Sequence, residues 1–345
     1  MNNNTPFLPY GRQIIDDDDV AAVLSALRRP YLTTGPLVQE FEQAFAAANQ
    51  VDHAVVVNSG TAALHAMYAA AGIGAGDEVI VPAITFSATA AAALYCGATP
   101  VFADVHADTL LLDPASVLAR ITPRSKAICA VDYAGQPADY AALRAIARQH
   151  GLWLFGDSCH AFGALYQGQP LAQQADAHSY SFHPVKHMTT AEGGAVVTNN
   201  TEWAEKMRRF RSHGMSVSVE ERNKSGSWYY DISDLGYNYR LPDLLCALGL
   251  SQLTKLPGWV AQRRRLAAIY RDRLHGFSAL TPLLELPDRT HSYHLFVVAL
   301  SDALAPSERQ RCYQELRQAG IGSNVHYRPV HLHSLYQQRL GTRPG

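Results

Sequence analysis

The stretch Leu152-Trp153-Leu154-Phe155-Gly156-Asp157 consists of four apolar residues, a glycine and an acid. A short apolar run that ends in small or polar residues is typical of a strand buried in a parallel sheet. Asp157 would then stand at the carboxyl end of that strand, which is the edge where open α/β sheets bind their ligands. The stretch therefore predicts both a buried strand and a candidate site residue.

Similar apolar runs recur between residues 51 and 199 and alternate with alanine-rich segments of helical period. The predicted strands are 54–57, 78–81, 99–103, 127–131, 152–155, 178–182 and 195–198. Helices are predicted at 61–71, 87–95 and 140–150. Strands joined through helices predict an α/β fold with a mostly parallel seven-stranded sheet.

The regions on either side of this core are predicted to be largely helical. Residues 16–28 begin with four aspartates, which favour a helix N-terminus over a metal site. Residues 241–256 and 259–274 are predicted to form two helices separated near Pro257-Gly258. We expect residues 1–256 to form an N-terminal arm and a large domain. Residues 257–345 would then form a small C-terminal α/β domain.

In that small domain, a strand is predicted at 294–300 and a helix at 307–318. The composition of the whole chain is that of a globular protein, and its net charge of -1 gives no field to attract nucleic acid or an anionic membrane. The five cysteines form no C-x-x-C pair, which indicates reduced thiols. Because no leader and no apolar run long enough for a membrane span is visible, a soluble cytoplasmic protein is expected.

A lysine follows the predicted strand 178–182, in Ser181-Phe182-His183-Pro184-Val185-Lys186. Gly193-Gly194 comes shortly after it and admits close approach of another backbone. Desolvation lowers the pKa of a lysine amine, as Schiff-base chemistry requires, although most lone lysines are solvated. A buried Asp157 needs a cationic partner, and the protonated ring nitrogen of pyridoxal phosphate would be one. An N-cap or a structural ion pair is the alternative.

A third feature is Asn58-Ser59-Gly60-Thr61-Ala62-Ala63-Leu64, which combines a strand end, a tight turn and a helix start. Free amides and the positive end of a helix make such a turn an anion site, although an isolated helix cap has the same pattern. Cys159-His160 lacks an orienting third group for a thiol nucleophile. The histidines at 326, 331 and 333 have no diagnostic metal spacing, so no metal is expected.

These three features, in this order, resemble the fold-type-I pyridoxal phosphate enzymes, and specifically the DegT/StrS-type family of nucleotide-sugar aminotransferases. The motifs that carry the resemblance are Pro9-Tyr10-Gly11-Arg12, Leu32-Thr33-Thr34-Gly35, Ser59-Gly60-Thr61, Ile84-Thr85-Phe86, Asp157-Ser158-Cys159-His160-Ala161, the segment 181–194, Arg211-Ser212-His213-Gly214, the segment 235–241, the segment 247–253 and Val325-His326-Tyr327. They span nearly the whole chain. Because the family's chains continue beyond the position of Gly345, the small domain is expected to be incomplete.

The resemblance implies a role for each matching residue. Lys186 would bind the cofactor and move the proton, Asp157 would hold the ring nitrogen protonated, Phe86 would stack on the ring and His160 would lie near its phenolic oxygen. The phosphate would be held by Ser59, Gly60, Thr61, Ser181 and, from the partner subunit of a homodimer with composite active sites, Asn238. The substrate would contact Tyr10, Tyr31, Leu32, Thr33, Asn324, Val325, His326 and Tyr327.

Within the family, the segment 181–194 and Val325-His326-Tyr327-Arg328-Pro329 are most similar to the aminotransferase of pseudaminic acid biosynthesis. This implies transfer of an amino group from glutamate, which leaves 2-oxoglutarate, to C4 of a UDP-linked 4-keto-6-deoxy-2-acetamido sugar for surface glycans such as those of flagellin. Sister enzymes for other nucleotide-linked 4-keto sugars share most of these motifs. Lys186 argues against a dehydratase of the same scaffold, and a non-catalytic or truncated homologue that binds pyridoxal phosphate stays an alternative.

Overall fold

The fold is built on a seven-stranded sheet in a computed structural model that describes residues 6–217, 222, 226–301 and 305–344. The strands are β1 (His53–Val57), β2 (Glu78–Pro82), β3 (Thr99–Ala103), β4 (Ser125–Val131), β5 (Trp153–Asp157), β6 (Leu165–Tyr166), β7 (Gln169–Pro170), β8 (Ala177–Ser181), β9 (Gly194–Thr198), β10 (Leu280–Pro282), β11 (Arg289–Thr290) and β12 (Val298–Leu300). The order in the large sheet is β1-β9-β8-β5-β4-β2-β3. Only β9 runs antiparallel to its neighbours there, so the predicted mostly parallel sheet is confirmed.

Helices cover both faces of this sheet. The helices of the described residues are α1 (Asp17–Leu27), α2 (Pro36–Asn49), α3 (Gly60–Ala70), α4 (Ser87–Tyr95), α5 (Pro114–Ala119), α6 (Tyr140–His150), α7 (Thr201–Phe210), α8 (Asp243–Leu274), α9 (Pro306–Gln318) and α10 (Ser334–Leu340). Short 3₁₀ turns occupy Tyr133–Gly135, Leu171–Gln173 and Val330–Leu332. Helices α3, α4 and α7 bury their apolar side chains on one face. On the other face, α2 and α8 pack near β1, β9 and β8, whereas α5 and α6 pack near β4 and β5.

The aspartate run begins α1 as predicted. Asp16 is the N-cap, and its carboxylate accepts a hydrogen bond from the Asp19 amide at 3.2 Å. The Asp19 carboxylate in turn accepts a hydrogen bond from the Asp16 amide at 3.1 Å, which completes a capping box. Lys255 of α8 then pairs with Asp19 at 2.8 Å, and this ion pair ties the N-terminal helix to the long helix.

The predicted break between two helices at Pro257-Gly258 is wrong, because α8 runs through both residues as one helix of 32 residues. A proline in a helix removes one backbone hydrogen bond and costs about 3 kcal/mol. Here, Leu256 and Val260 on either side are buried in one apolar cluster, and this packing keeps the helix continuous. The division into residues 1–256 and 257–345 stays a prediction.

The strand predicted at 294–300 is shorter than expected, because only Val298–Leu300 pairs, with β10. The preceding segment is bound elsewhere: the Ser292 amide donates to Gly135 O at 2.9 Å and the Leu295 amide to Ala134 O at 3.1 Å. Residues 292–295 are therefore attached to the loop after β4, and this attachment brings them to the carboxyl edge of the large sheet. The helix predicted at 307–318 is confirmed as α9.

Among the helices of the described residues, none combines the length and the apolar character needed to cross a bilayer.

Candidate active site

A cavity of about 320 Å³ opens at the carboxyl edge of the sheet, beyond the ends of β1, β2, β5 and β8. Most of the residues that the sequence singled out line it. They are Tyr10, Ser59, Gly60, Thr61, Phe86, Asp157, His160, Ser181, Lys186, Asn324, His326 and Tyr327. The residues between Ser59 and Lys186 meet there because parallel strands bring their carboxyl ends to a single edge, and Tyr10 and the segment 324–327 approach the same edge from outside the sheet.

Lys186 stands on the connection between β8 and β9, and its amide donates to His183 O at 2.9 Å, which closes a turn. The side chain is half-buried. Burial lowers the pKa of the Lys186 amine below its usual range, while the nearby Cys159 and Asp157 oppose that shift. The amine is thereby more readily deprotonated, so a larger fraction of it is present at neutral pH as the free amine that can act as a nucleophile or accept a proton.

Asp157 is the last residue of β5 and is only 5% exposed. Its carboxylate accepts hydrogen bonds from Thr89 Oγ1 at 2.7 Å and from the Cys159 amide at 3.2 Å. These bonds fix the orientation of the carboxylate. No basic side chain of the described residues forms an ion pair with it, and Lys186 interacts with it only over a longer distance, so this buried carboxylate facing the cavity has no cation in direct contact. A protonated ring nitrogen fits that need.

The turn between β1 and α3 lies against the ends of β8 and β9. A Cβ added to Gly60 would lie 2.8 Å from Cβ of Ser181, and one added to Gly194 would lie 2.5 Å from Ser59 O. Ser59 caps α3 by accepting from the Ala62 amide at 3.0 Å. The amides of Gly60 and Thr61 find no acceptor among the described residues. Free amides at a helix N-terminus are suited to a phosphate.

The far wall of the cavity carries aromatic and imidazole rings. The Tyr327 hydroxyl lies 3.2 Å from His160 Nε2, and the rings of Phe86 and Tyr327 are 6.2 Å apart between centroids. Burial, and secondarily the charge of Lys186, holds the pKa of His160 well below its usual range, so this ring is neutral. Phe86 leaves 57% of its surface exposed and offers a ring face to a planar ligand.

Five predicted residues do not line this cavity in the single chain: Tyr31, Leu32, Thr33, Asn238 and Val325. The side chains at 31–33 are exposed in the loop between α1 and α2. Asn238 is also exposed, and its carbonyl accepts from Asn58 Nδ2 at 3.3 Å. The predicted role of Asn238 in a partner's site is compatible with this position and stays a prediction.

Sequence reasoning missed Thr89 and His294. Thr89 is fully buried in α4 and holds Asp157, while His294 lines the cavity and is 8% exposed. Neither residue stands in a motif that marks a site, and tertiary packing alone brings them there. Within the described residues, no group of three or more His, Cys, Asp or Glu side chains is arranged to hold a metal ion.

The chain matches the model of the DegT/DnrJ/EryC1/StrS aminotransferase family over residues 13–345. The chain belongs to this family. A curated relative, the spore coat polysaccharide biosynthesis protein SpsC of Bacillus subtilis (strain 168), is 39% identical over 337 residues, which are 97% of this chain and 87% of the relative.

Two solved structures illustrate the likeness. Helicobacter pylori PseC, an aminotransferase of pseudaminic acid biosynthesis, superimposes with a TM-score of 0.92 at 36% identity, covering 98% of this chain and 89% of its own. The PLP form of Spr1654 from Streptococcus pneumoniae gives a TM-score of 0.90 at 32% identity, with 96% and 88% covered. The protein is therefore an aminotransferase of the DegT/StrS type that depends on pyridoxal phosphate, as predicted. The predicted fold-type-I architecture is confirmed as well.

Proposed function

We propose that this aminotransferase transfers an amino group from glutamate to C4 of a UDP-linked 4-keto-6-deoxy-2-acetamido sugar, in the biosynthesis of pseudaminic acid-type surface glycans. The observation that carries the proposal is the cavity in which Lys186, the free amides of Gly60 and Thr61 and the unpaired Asp157 meet. The motifs at 181–194 and 325–329 support the sugar assignment. PseC acts in the biosynthesis of pseudaminic acid and SpsC in that of a spore coat polysaccharide, and both relatives support the same class of product.

Each residue contributes one physical task. Bound pyridoxal phosphate supplies an aldehyde and an electron-withdrawing ring. Lys186 would hold the cofactor covalently through its amine, and its free amine would move the proton between the substrate carbon and the cofactor as general base and acid. The Asp157 carboxylate would keep a proton on the ring nitrogen, and Phe86 would stack on the ring. His160, being neutral, approaches the phenolic oxygen without adding charge.

Phosphate binding is assigned to Ser59, Gly60, Thr61 and Ser181, whose amides and hydroxyls face one end of the cavity. Tyr10, Asn324, His326 and Tyr327 form the side of the cavity that would face the sugar nucleotide. We further propose that Asn238, together with the exposed loop 31–33, serves the cavity of the partner in a cytoplasmic homodimer. Val325 stands beside that wall.

The decisive experiment supplies the purified protein with pyridoxal phosphate, glutamate and the UDP-linked 4-keto sugar. We expect an amino sugar by mass spectrometry, formed together with 2-oxoglutarate. The Lys186→Ala variant and the sugar with a 4-hydroxyl in place of the ketone are the controls, and neither should give the product. Conversion of the cofactor by glutamate without any amination of this sugar would refute the substrate assignment while leaving the aminotransferase intact.

Another nucleotide-linked 4-keto sugar is the second candidate, because sister enzymes for other 4-keto sugars share most of the motifs that support the first assignment, and other aminotransferases share the fold. DesV of S. venezuelae superimposes with a TM-score of 0.87 at 34% identity over 97% of this chain. A panel of UDP- and dTDP-linked 4-keto sugars in the same assay separates the two candidates.

A further inference from the structure

A fully buried polar network lies directly behind Asp157, on the side away from the cavity. Asp132, Ser158 and His178 are each 0% exposed, and Tyr140 is 1% exposed. They come from the end of β4, the residue after β5, β8 and the start of α6. None of them lines the cavity, and the chemistry described above does not use them.

The hydrogen bonds of the network run from His178 through Ser158 to Asp132. Ser158 Oγ donates to Asp132 Oδ2 at 2.6 Å, so the same oxygen is free to accept from His178 Nδ1 at 2.8 Å. Burial lowers the pKa of His178 to about 3, so the ring is neutral and has one N–H, which this contact uses. Asp132 also accepts from the Tyr140 hydroxyl at 2.9 Å and from the Ala138 amide at 2.9 Å. The Asp132 carboxylate thus accepts from three groups: the Ser158 hydroxyl, the Tyr140 hydroxyl and the Ala138 amide.

The network is attached to the turn that presents Asp157. The Asp132 amide donates to Asp157 O at 3.1 Å, and the Ser158 amide donates to Ser179 O at 2.9 Å. Gly156 leaves no room for adjustment, because a Cβ there would lie 2.2 Å from His178 Nδ1. Successive side chains of an extended segment point to opposite sides, so fixing Ser158 on the inner side sets the direction of Asp157 on the cavity side.

We propose that Asp132, acting through Ser158, is a positioning residue that holds the Asp157 carboxylate and the following His160 in place for the reaction. The proposal rests on the role given above to Asp157. A carboxylate that must meet a ring nitrogen at hydrogen-bond distance loses much of its effect when it is displaced by about 1 Å. Asp132 supplies the rigid support because it holds both the strand end, through its amide, and the next residue, through its carboxylate.

Burial also affects the protonation of Asp132. Burial raises the pKa of its carboxyl group to about 7, although the bonds from Ser158, Ala138 and Tyr140 favour the charged form. The titratable groups that interact with it are Cys129 on β4, Tyr140 on α6, Asp157 on β5 and Tyr180 on β8. The pKa values of Cys129, Tyr140 and Tyr180 are all raised by burial, so these three side chains are neutral near pH 7.

The experiment compares Asp132→Asn with Ser158→Ala and with a control, Asp139→Asn. Asp139 is also an aspartate beside α6 that caps the helix, but it has no bond to Asp132, Ser158 or His178. Cofactor affinity is measured by absorbance titration of the apo-enzyme, and the half-reaction with glutamate is followed by stopped flow. For Asp132→Asn we expect at least about tenfold weaker cofactor binding and a similarly slower half-reaction, and for Ser158→Ala a smaller effect in the same direction. Asp139→Asn should leave both unchanged.

A double-mutant cycle with Asp157→Asn separates positioning from general destabilisation. If Asp132 acts through Asp157, adding Asp132→Asn to Asp157→Asn changes cofactor affinity little further. Fully additive effects, or a lower melting temperature of Asp132→Asn with unchanged affinity and half-reaction rate, overturn the proposal. Should Asp132→Asn fail to fold, Ser158→Ala in the same cycle gives the answer. If Asp157→Asn alone has no effect, the role proposed for Asp157 is refuted, and this result is distinguishable from a failure of the proposal for Asp132.

Discussion

A single amine determines whether this site can do chemistry. Lys186 is the lysine that lines the cavity among the described residues, and burial lowers the pKa of its amine. Lys186→Ala should therefore abolish transamination and the visible absorbance of the covalently bound cofactor. Borohydride reduction of the wild-type protein should place the pyridoxyl label on the peptide that contains Lys186.

The matched control is Lys126→Ala, which removes an exposed lysine from the sheet strand β4. This variant should keep the absorbance and the label. A label found on any other lysine, or full activity in Lys186→Ala, contradicts the assignment of the cofactor-binding residue.

At the scale of residues, site residues that stand in a recognisable sequence pattern were predicted, whereas those that reach the site only through tertiary packing were missed. Asp157 ends a strand that is visible in the sequence as an apolar run, and Lys186 stands in a motif shortly after another predicted strand. Thr89 holds Asp157 across 68 positions of chain, and nothing next to Thr89 in the sequence indicates that contact. Asp132 belongs to the same class, because its burial and its partners depend on α6 and β8 meeting at one place.

At the scale of elements, the strands of the large sheet other than β8 were predictable because each is a short, mainly apolar run with buried residues on both faces. The long helix α8 was not, since Pro257 and Gly258 are strong local signals for a break. The packing of Leu256 and Val260 outweighs those signals. The strand predicted from residue 294 failed for a similar reason, as its backbone bonds to the loop at 134–135.

The close approach of the α3 N-terminus to the end of β8 can be tested by substitution. Gly60 begins α3 where a Cβ would lie 2.8 Å from Cβ of Ser181, whereas a Cβ on Gly74 would meet only Cys96 O at 4.0 Å. Gly60→Ala should push the α3 turn away from β8 and weaken cofactor phosphate binding by at least about tenfold. Gly74→Ala, the control, should bind like wild type. Equal affinities of the two variants in an absorbance titration would show that this close approach does not shape the phosphate site.

At the scale of the whole molecule, several predicted site residues lie outside the cavity of the chain to which they belong. Asn238 and the loop 31–33 are exposed, and the segment before Asn238 carries Trp228 at 85% and Leu235 at 83% exposure. Large apolar side chains exposed to this extent in one stretch are typical of a surface that another subunit covers. A second copy of this chain would cover them and at the same time bring Asn238 to the phosphate of its partner.

That geometry predicts complementation between two inactive variants. In a mixed dimer of Lys186→Ala and Asn238→Asp, one site carries both lesions and the other carries neither, because each site would take its lysine from one chain and Asn238 from the other. Random exchange of equal amounts makes half of the dimers mixed, so about one quarter of the wild-type activity should return. Asn238→Asp is the useful parent because its charge repels the cofactor phosphate. Activity is measured after verified subunit exchange, and each parent mixed with itself is the control. If the mixture stays as inactive as its parents, or if an active monomer is found by ultracentrifugation at assay concentration, Asn238 acts within its own chain, where its carbonyl already accepts from Asn58.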